Sequence, residues 1–153
     1  MVIFGIIFGE MYTEYNEDEA TWAYNCGGVG MRGKILIVDD QKGVRRLLEE
    51  LFKKEDWDVR IAGDGLEAIN KVEEMVPDLI LMDVKMPNMN GLEATHEIME
   101  RNPDIPIIMM TAYGEIEVVK QALDAGVKRC ISKPFDIMVL RELVDKLMIE
   151  MAS

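Results

Sequence analysis

At 153 residues, with 49% apolar and 30% charged side chains, the chain is long enough for one domain with a sizeable core and too apolar to be disordered. Its formal net charge of −12 argues against a nucleic-acid surface, which needs a basic footprint, and against docking to an anionic membrane face. Two cysteines, Cys26 and Cys130, make neither a metal spacing nor a disulfide framework, and no apolar run reaches transmembrane length, so a reduced, cytoplasmic chain is expected.

Residues 1–30 differ from the rest. They hold Glu10, Glu14, Glu17, Asp18 and Glu19 but no Lys or Arg, and they are rich in aromatics. The apolar start lacks a basic flank, so it makes a poor secretory signal. Gly27-Gly28-Val29 can be encoded by the purine-rich codons of a ribosome-binding site just ahead of Met31. The expected organisation is a natural start at Met31, with 1–30 a misassigned extension and 31–153 the domain. The other reading is a genuine flexible or docking arm.

From Lys34 onward, strand and helix patterns alternate. Lys34–Val38 is an apolar run that ends in Asp39-Asp40. Val44, Leu47, Leu48, Leu51 and Phe52 then keep helical spacing. Residues 58–62 read as a strand, and Gly63-Asp64-Gly65 as a turn. Leu66, Ile69, Val72 and Val76 mark a second helix, stopped by Pro77. Leu79–Met82 reaches Asp83, and a loop with Pro87, Asn88, Asn90 and Gly91 leads into a helix over 92–101. Ile107–Met110 reaches Thr111. A helix over about 116–125 ends at Gly126, which suits the left-handed position after a helix. The last strand spans about 128–132 and leads to Lys133. A final helix carries Leu140, Leu143, Val144, Leu147, Met148 and Met151. This makes five strand–helix units, and right-handed crossovers would put helices on both faces of the sheet.

Short continuous apolar runs are strands buried on both faces of a parallel sheet. Ligands of such sheets bind beyond the carboxyl ends of the strands. Asp39, Asp40, Asp83, Thr111 and Lys133 all follow or end such runs, so three carboxylates, a hydroxyl and an ammonium should gather at one edge. Carboxylate oxygens suit Mg²⁺, which keeps waters for a phosphate, and a Thr and a Lys nearby can hold phosphate oxygens. Taken singly, each residue has a plainer reading: Asp39-Asp40 as caps of the helix at Gln41, Asp83 as a turn residue, Thr111 as a cap and Lys133 as a solvated charge. His96 has no partner that would mark a phosphohistidine. The 13 Met residues fall mostly at apolar positions and should fill the core. Met86 and Met89, in the loop after Asp83, are candidates for a partner surface.

Together the segments VDDQ, LMDVKMPNMNG, MMTAYGE and SKPFD resemble the receiver domains of two-component response regulators, over residues 31–153. VDDQ, Lys85, MTAYGE and KPFD resemble in particular the single-domain sporulation phosphorelay regulator. The resemblance implies a flavodoxin-like α/β fold, a doubly wound five-stranded parallel sheet of order 2-1-3-4-5 with five helices. It implies that Asp83 is the phosphoacceptor. Asp40 and Asp83 would bind Mg²⁺ directly, Asp39 through water, and Lys85 through its backbone carbonyl. Lys133 would bind Asp83 and the phosphoryl group, its bond to Pro134 would be cis, and Thr111 would report the phosphoryl group.

One position departs from the common pattern. Receivers that drive an output usually carry an aromatic three residues before the Lys, and here that residue is Cys130. The departure favours a phosphorelay carrier, loaded by a sensor histidine kinase and unloaded onto a histidine phosphotransfer protein. The alternative is a stand-alone switch that binds an output protein. A hydrolase of another family is disfavoured, because Asp39-Asp40-Gln41 lacks the Asp-x-Asp spacing. A chain without an output domain after Ser153, and a monomer, are expected. A donor histidine must come in line with Asp83, which places the partner surface on Gln41, Gly43, Val44, Leu47, Met86, Pro134 and Phe135. Lys85 and Tyr113 are the expected lid against water.

Overall fold

A computed structural model describes residues 32–153. The expectations for residues 1–30 and for a start at Met31 lie outside the described residues. Residues 33–134 form one compact unit, and Arg32 with residues 135–153 belongs to a second.

In the first unit the elements run β1 (Gly33–Val38), α1 (Lys42–Lys54), β2 (Trp57–Ala62), α2 (Gly65–Met75), β3 (Leu79–Asp83), α3 (Gly91–Arg101), β4 (Ile107–Ala112), α4 (Ile116–Asp124) and β5 (Arg129–Lys133). All strand pairs are parallel and the order is 2-1-3-4-5. The predicted order and unit count therefore hold. Every position of Ile35–Val38, Leu79–Met82 and Ile107–Met110 is solvent-free. Alternate positions of one parity (Leu36, Val38, Ile80, Met82, Ile107, Met109) cluster with Ala68 and Val72 of α2, Ala94 and Ile98 of α3, and Ala122 of α4. The other parity is equally buried, so both faces of the sheet are covered. On α1 the buried residues are Leu48 and Phe52, the latter edge-on to Trp57 with ring centroids 6.5 Å apart. Each fully buried Leu, Ile or Phe contributes roughly 1.5–3 kcal/mol.

Two expectations about α2 fail. Leu66 and Val76 are exposed, and the buried face is Gly65, Ala68 and Val72. The cause is close packing. The Gly65 N–H donates to the Met89 carbonyl at 3.1 Å, and a Cβ on Gly65 would meet that oxygen at 2.7 Å. Small residues thus take the inner face, and Leu66 points out. Val76 lies past the helix end with φ of 32°. Gly126 does adopt the predicted left-handed conformation, with φ of 107°.

The second unit contains α5 (Ile137–Ala152), capped by Asp136, whose side chain accepts from the Met138 N–H at 2.7 Å. Leu140, Val144 and Leu147 are buried as predicted, whereas Met151 is exposed. Asp145 is also buried and pairs with Arg32 at 2.5 Å, a contact the apolar stripe did not indicate. Among the described residues no helix is long and apolar enough to cross a membrane.

Candidate functional site

The parallel register brings the carboxyl ends of β1, β3, β4 and β5 to one edge, and each delivers a polar side chain there. Asp39 follows β1 and is wholly buried. Its N–H donates to the Ala62 carbonyl at 3.1 Å, and its own carbonyl accepts from Arg45 Nη1 at 2.7 Å. Oδ1 accepts from the Gln41 N–H at 2.9 Å, and Oδ2 from Lys133 Nζ at 2.7 Å. Every polar atom of Asp39 is therefore engaged by protein. The Oδ1 bond is a local turn two residues long, and the N-cap of α1 is Gln41 with no side-chain cap bond, so the plain capping reading of Asp39 and Asp40 does not hold. Asp40, next in the chain, is exposed.

Asp83 ends β3 and is 7% exposed. Its Oδ1 accepts from the Val84 N–H at 2.9 Å and lies 3.3 Å from Lys133 Nζ. The backbone turns back hard beside it. Gly91 N–H donates to the Val84 carbonyl at 2.7 Å, and a Cβ on Gly91 would fall 2.0 Å from the Asp83 carbonyl oxygen. Only glycine fits there. A capping box between Asn90 and Glu93 then starts α3. Thr111, near the end of β4, is buried, and its Oγ1 has no hydrogen-bond partner. A buried, unpaired hydroxyl costs of order 1–3 kcal/mol, which a newly bound acceptor would offset. Lys133 is the last residue of β5, opposite Ala112 in the register, and its bond to Pro134 is cis as expected.

Carboxylate oxygens of Asp39, Asp40 and Asp83 lie within 4.8 Å of one another. Burial, and then the charge of Asp39, push the Asp83 carboxyl up to about 6, against the partial relief Lys133 gives. Burial pulls the Lys133 ammonium down, but the bond to Asp39 and the charges of both carboxylates outweigh it and leave its pKa raised. Lys133 serves Asp39 at the shorter distance, whereas Asp83 was its expected partner. One ammonium against three carboxylates leaves negative charge in excess, two of the three groups being buried. Hard oxygen donors with uncompensated charge fit a divalent cation such as Mg²⁺.

At the rim the predicted lid is differently placed. Lys85 Nζ is held at 2.8 Å by Glu115 Oε1, and the Lys85 side chain is 77% exposed. Tyr113 is 87% exposed and covers nothing. Of the expected partner surface, Gln41, Gly43, Leu47 and Pro134 are exposed and Val44 is half-buried. Met86 and Met89 are half-buried and pack against the hydrophobic cluster. Phe135, half-buried, belongs to the second unit. His96 is exposed and Cys130 is partly buried against the cluster. Sequence reasoning missed Arg45 and Glu115. Arg45 could have been noticed as a base one turn into α1, but nothing in its spacing pointed to the Asp39 carbonyl.

Residues 35–145 match the family model described as the response regulator receiver domain. The chain is 42% identical to sporulation initiation phosphotransferase F of Bacillus subtilis over 116 residues, which is 76% of this chain and 94% of that protein. It is 39% identical to chemotaxis protein CheY of Listeria monocytogenes over 114 residues, 74% of this chain and 96% of that one. A CheY-like receiver domain from Methanospirillum hungatei superposes with a TM-score of 0.75 at 30% identity, covering 78% of this chain and 95% of the other. With its sheet order, its acidic edge and this family match, the chain belongs to the response regulator receiver domain family.

Proposed function

We propose that Asp83 accepts a phosphoryl group from the phosphohistidine of a sensor histidine kinase and passes it to a histidine phosphotransfer protein, within a receiver domain spanning residues 31–153. One observation carries the reading. A buried carboxylate at the end of β3 sits 3.3 Å from an ammonium, in a cluster of three carboxylates and near an unpaired buried hydroxyl. At neutral pH Asp83, with its pKa near 6, is mostly ionised and can attack. An Asp83 oxygen forms the bond to phosphorus as the phosphorus–nitrogen bond breaks. The electron pair goes to the imidazole, and an acyl phosphate results. Asp40 and Asp83 would hold Mg²⁺ directly, with the Lys85 carbonyl. Asp39, both of whose oxygens are already bonded, would act through water. Bound there, Mg²⁺ supplies neutralising charge for the phosphoryl oxygens. Lys133, anchored on Asp39, turns its remaining donors toward Asp83 and the incoming group. The Thr111 hydroxyl gains its missing partner when that group arrives. The protein thereby promotes its own phosphorylation and dephosphorylation in the cytoplasm.

Cys130, where switch-type receivers usually place an aromatic, supports the carrier over a switch that binds an output protein. Transfer of label from the phosphorylated protein to a purified histidine phosphotransfer protein, and back, is the test. Reversible transfer is expected. Loss of label only as inorganic phosphate would favour the switch.

A further inference from the structure

We propose that Glu115 sets how long Asp83 keeps its phosphoryl group, by competing with that group for the Lys85 ammonium. The proposal rests on the acceptor reading above and adds a residue that controls lifetime rather than chemistry.

Glu115 stands at the N-cap position of α4, four residues after Thr111. Short polar side chains are the usual caps there, and the longer Glu115 side chain makes no cap hydrogen bond. It is spent elsewhere. Its side chain is only 20% exposed, Oε1 takes Lys85 Nζ at 2.8 Å, and Oε2 is buried with no hydrogen-bond partner. A half-buried carboxylate with one oxygen buried and unsatisfied is costly, and Lys85 is the cation that offsets it. The pair links the loop after β3 to the start of α4, so it ties together the two segments that border the Asp83 pocket. Lys85 lies two residues from Asp83, on a mobile four-carbon stem with one charge to give. In the unphosphorylated protein that charge belongs to Glu115, and the pairing raises the Lys85 pKa further.

A phosphoryl group on Asp83 changes the competition. It brings a charge approaching two, against one on Glu115. The ammonium then divides between them. While on the phosphoryl oxygens, Lys85 covers the approach of water. While on Glu115, it leaves that approach open. Decay is attack of a water oxygen on phosphorus with loss of the bond to Asp83, giving inorganic phosphate and the free carboxylate. Its rate should therefore follow the share of time that Glu115 holds Lys85.

The test uses four full-length proteins: wild type, Glu115→Gln, Lys85→Met and the double variant. Each is labelled with acetyl phosphate and Mg²⁺, freed of donor, and followed for loss of label. Gln keeps the shape of Glu and removes the charge. Glu115→Gln is expected to slow decay about threefold when Lys85 is present, the scale of a solvent-facing ion pair, and to change nothing in the Lys85→Met background. Equal slowing in both backgrounds would overturn the proposal, because Glu115 would then act through the start of α4. No slowing in either would overturn it too. A wild type that takes no label at all would refute the acceptor reading instead, and the proposal with it.

Discussion

The floor and the rim of the pocket are built to different rules. On the floor, Asp39 has every polar atom bonded, Asp83 is nearly buried, and Lys133, at the end of β5, brings its ammonium to both. At the rim, Asp40 is exposed, Tyr113 is almost fully in solvent, and Lys85, itself mostly in solvent, reaches out to a half-buried Glu115 through a single ion pair. Buried charges must be paired, and losing one partner strands the other, so floor substitutions should be costly. Exposed pairs contribute little to stability and exchange partners readily. The floor can thus set whether phosphoryl transfer occurs, and the rim how fast it is undone.

Lys133→Met should show the largest effect on the fold. It leaves Asp39 and Asp83 without their cation, and a loss of about 2–3 kcal/mol is expected, below the full cost of a buried pair because Lys133 keeps some contact with solvent. Urea unfolding without Mg²⁺ measures it. Stability equal to that of the wild type would mean the floor is not electrostatically strained.

Metal and pH test the same strain. The folded-state pKa of Asp83 is raised to about 6, so the folded protein binds that proton more tightly than the unfolded chain does. This contribution is fully present below the unfolded value near 4 and is lost as pH rises through about 6. Metal-free protein should therefore lose melting temperature across that window, and Asp83→Asn should flatten the loss. At neutral pH Mg²⁺ should stabilise the wild type, by roughly 2.7 kcal/mol at a hundredfold excess over Kd, and Asp40→Ala should reduce the gain. Equal Mg²⁺ shifts in wild type and Asp40→Ala would remove Asp40 from the ligand set.

The rim predictions are smaller. Lys85→Asn should speed loss of the phosphoryl group by about tenfold, because Asn can orient a water where Lys excluded one. Decay of purified phosphoprotein reads it, and an unchanged or slower rate would end the lid argument. Smallest is Leu47→Ala on the exposed side of α1. It should weaken transfer from a kinase while sparing labelling by acetyl phosphate. Loss of both would assign Leu47 to packing.

The same division governs what the sequence discloses. Asp39, Asp83, Thr111 and Lys133 are legible because each sits at or near the end of an apolar run, and a parallel sheet must bring those ends together. The sheet order came with the family resemblance, since apolar runs alone do not rank themselves. Less legible is anything decided by side-chain reach. Lys85 and Glu115 are 30 residues apart on different loops, and no periodicity pairs them. The preference of Lys133 for Asp39 depends on fractions of an ångström. The inner face of α2 is not read correctly because apolar spacing favours Leu66 and Val76, whereas close packing against the Met89 backbone selects Gly65, and Ala68 is buried with it. Asp145 was passed over because a buried acid leaves no apolar signature, and its partner Arg32 lies far off in the chain.

The central claim is that Asp83 is the acceptor. Incubating wild type and Asp83→Asn with acetyl phosphate and Mg²⁺, then weighing the intact proteins by mass spectrometry, tests it most directly. One added phosphate on the wild type and none on Asp83→Asn is the predicted result. Equal phosphorylation of the two, with both folded, would contradict it.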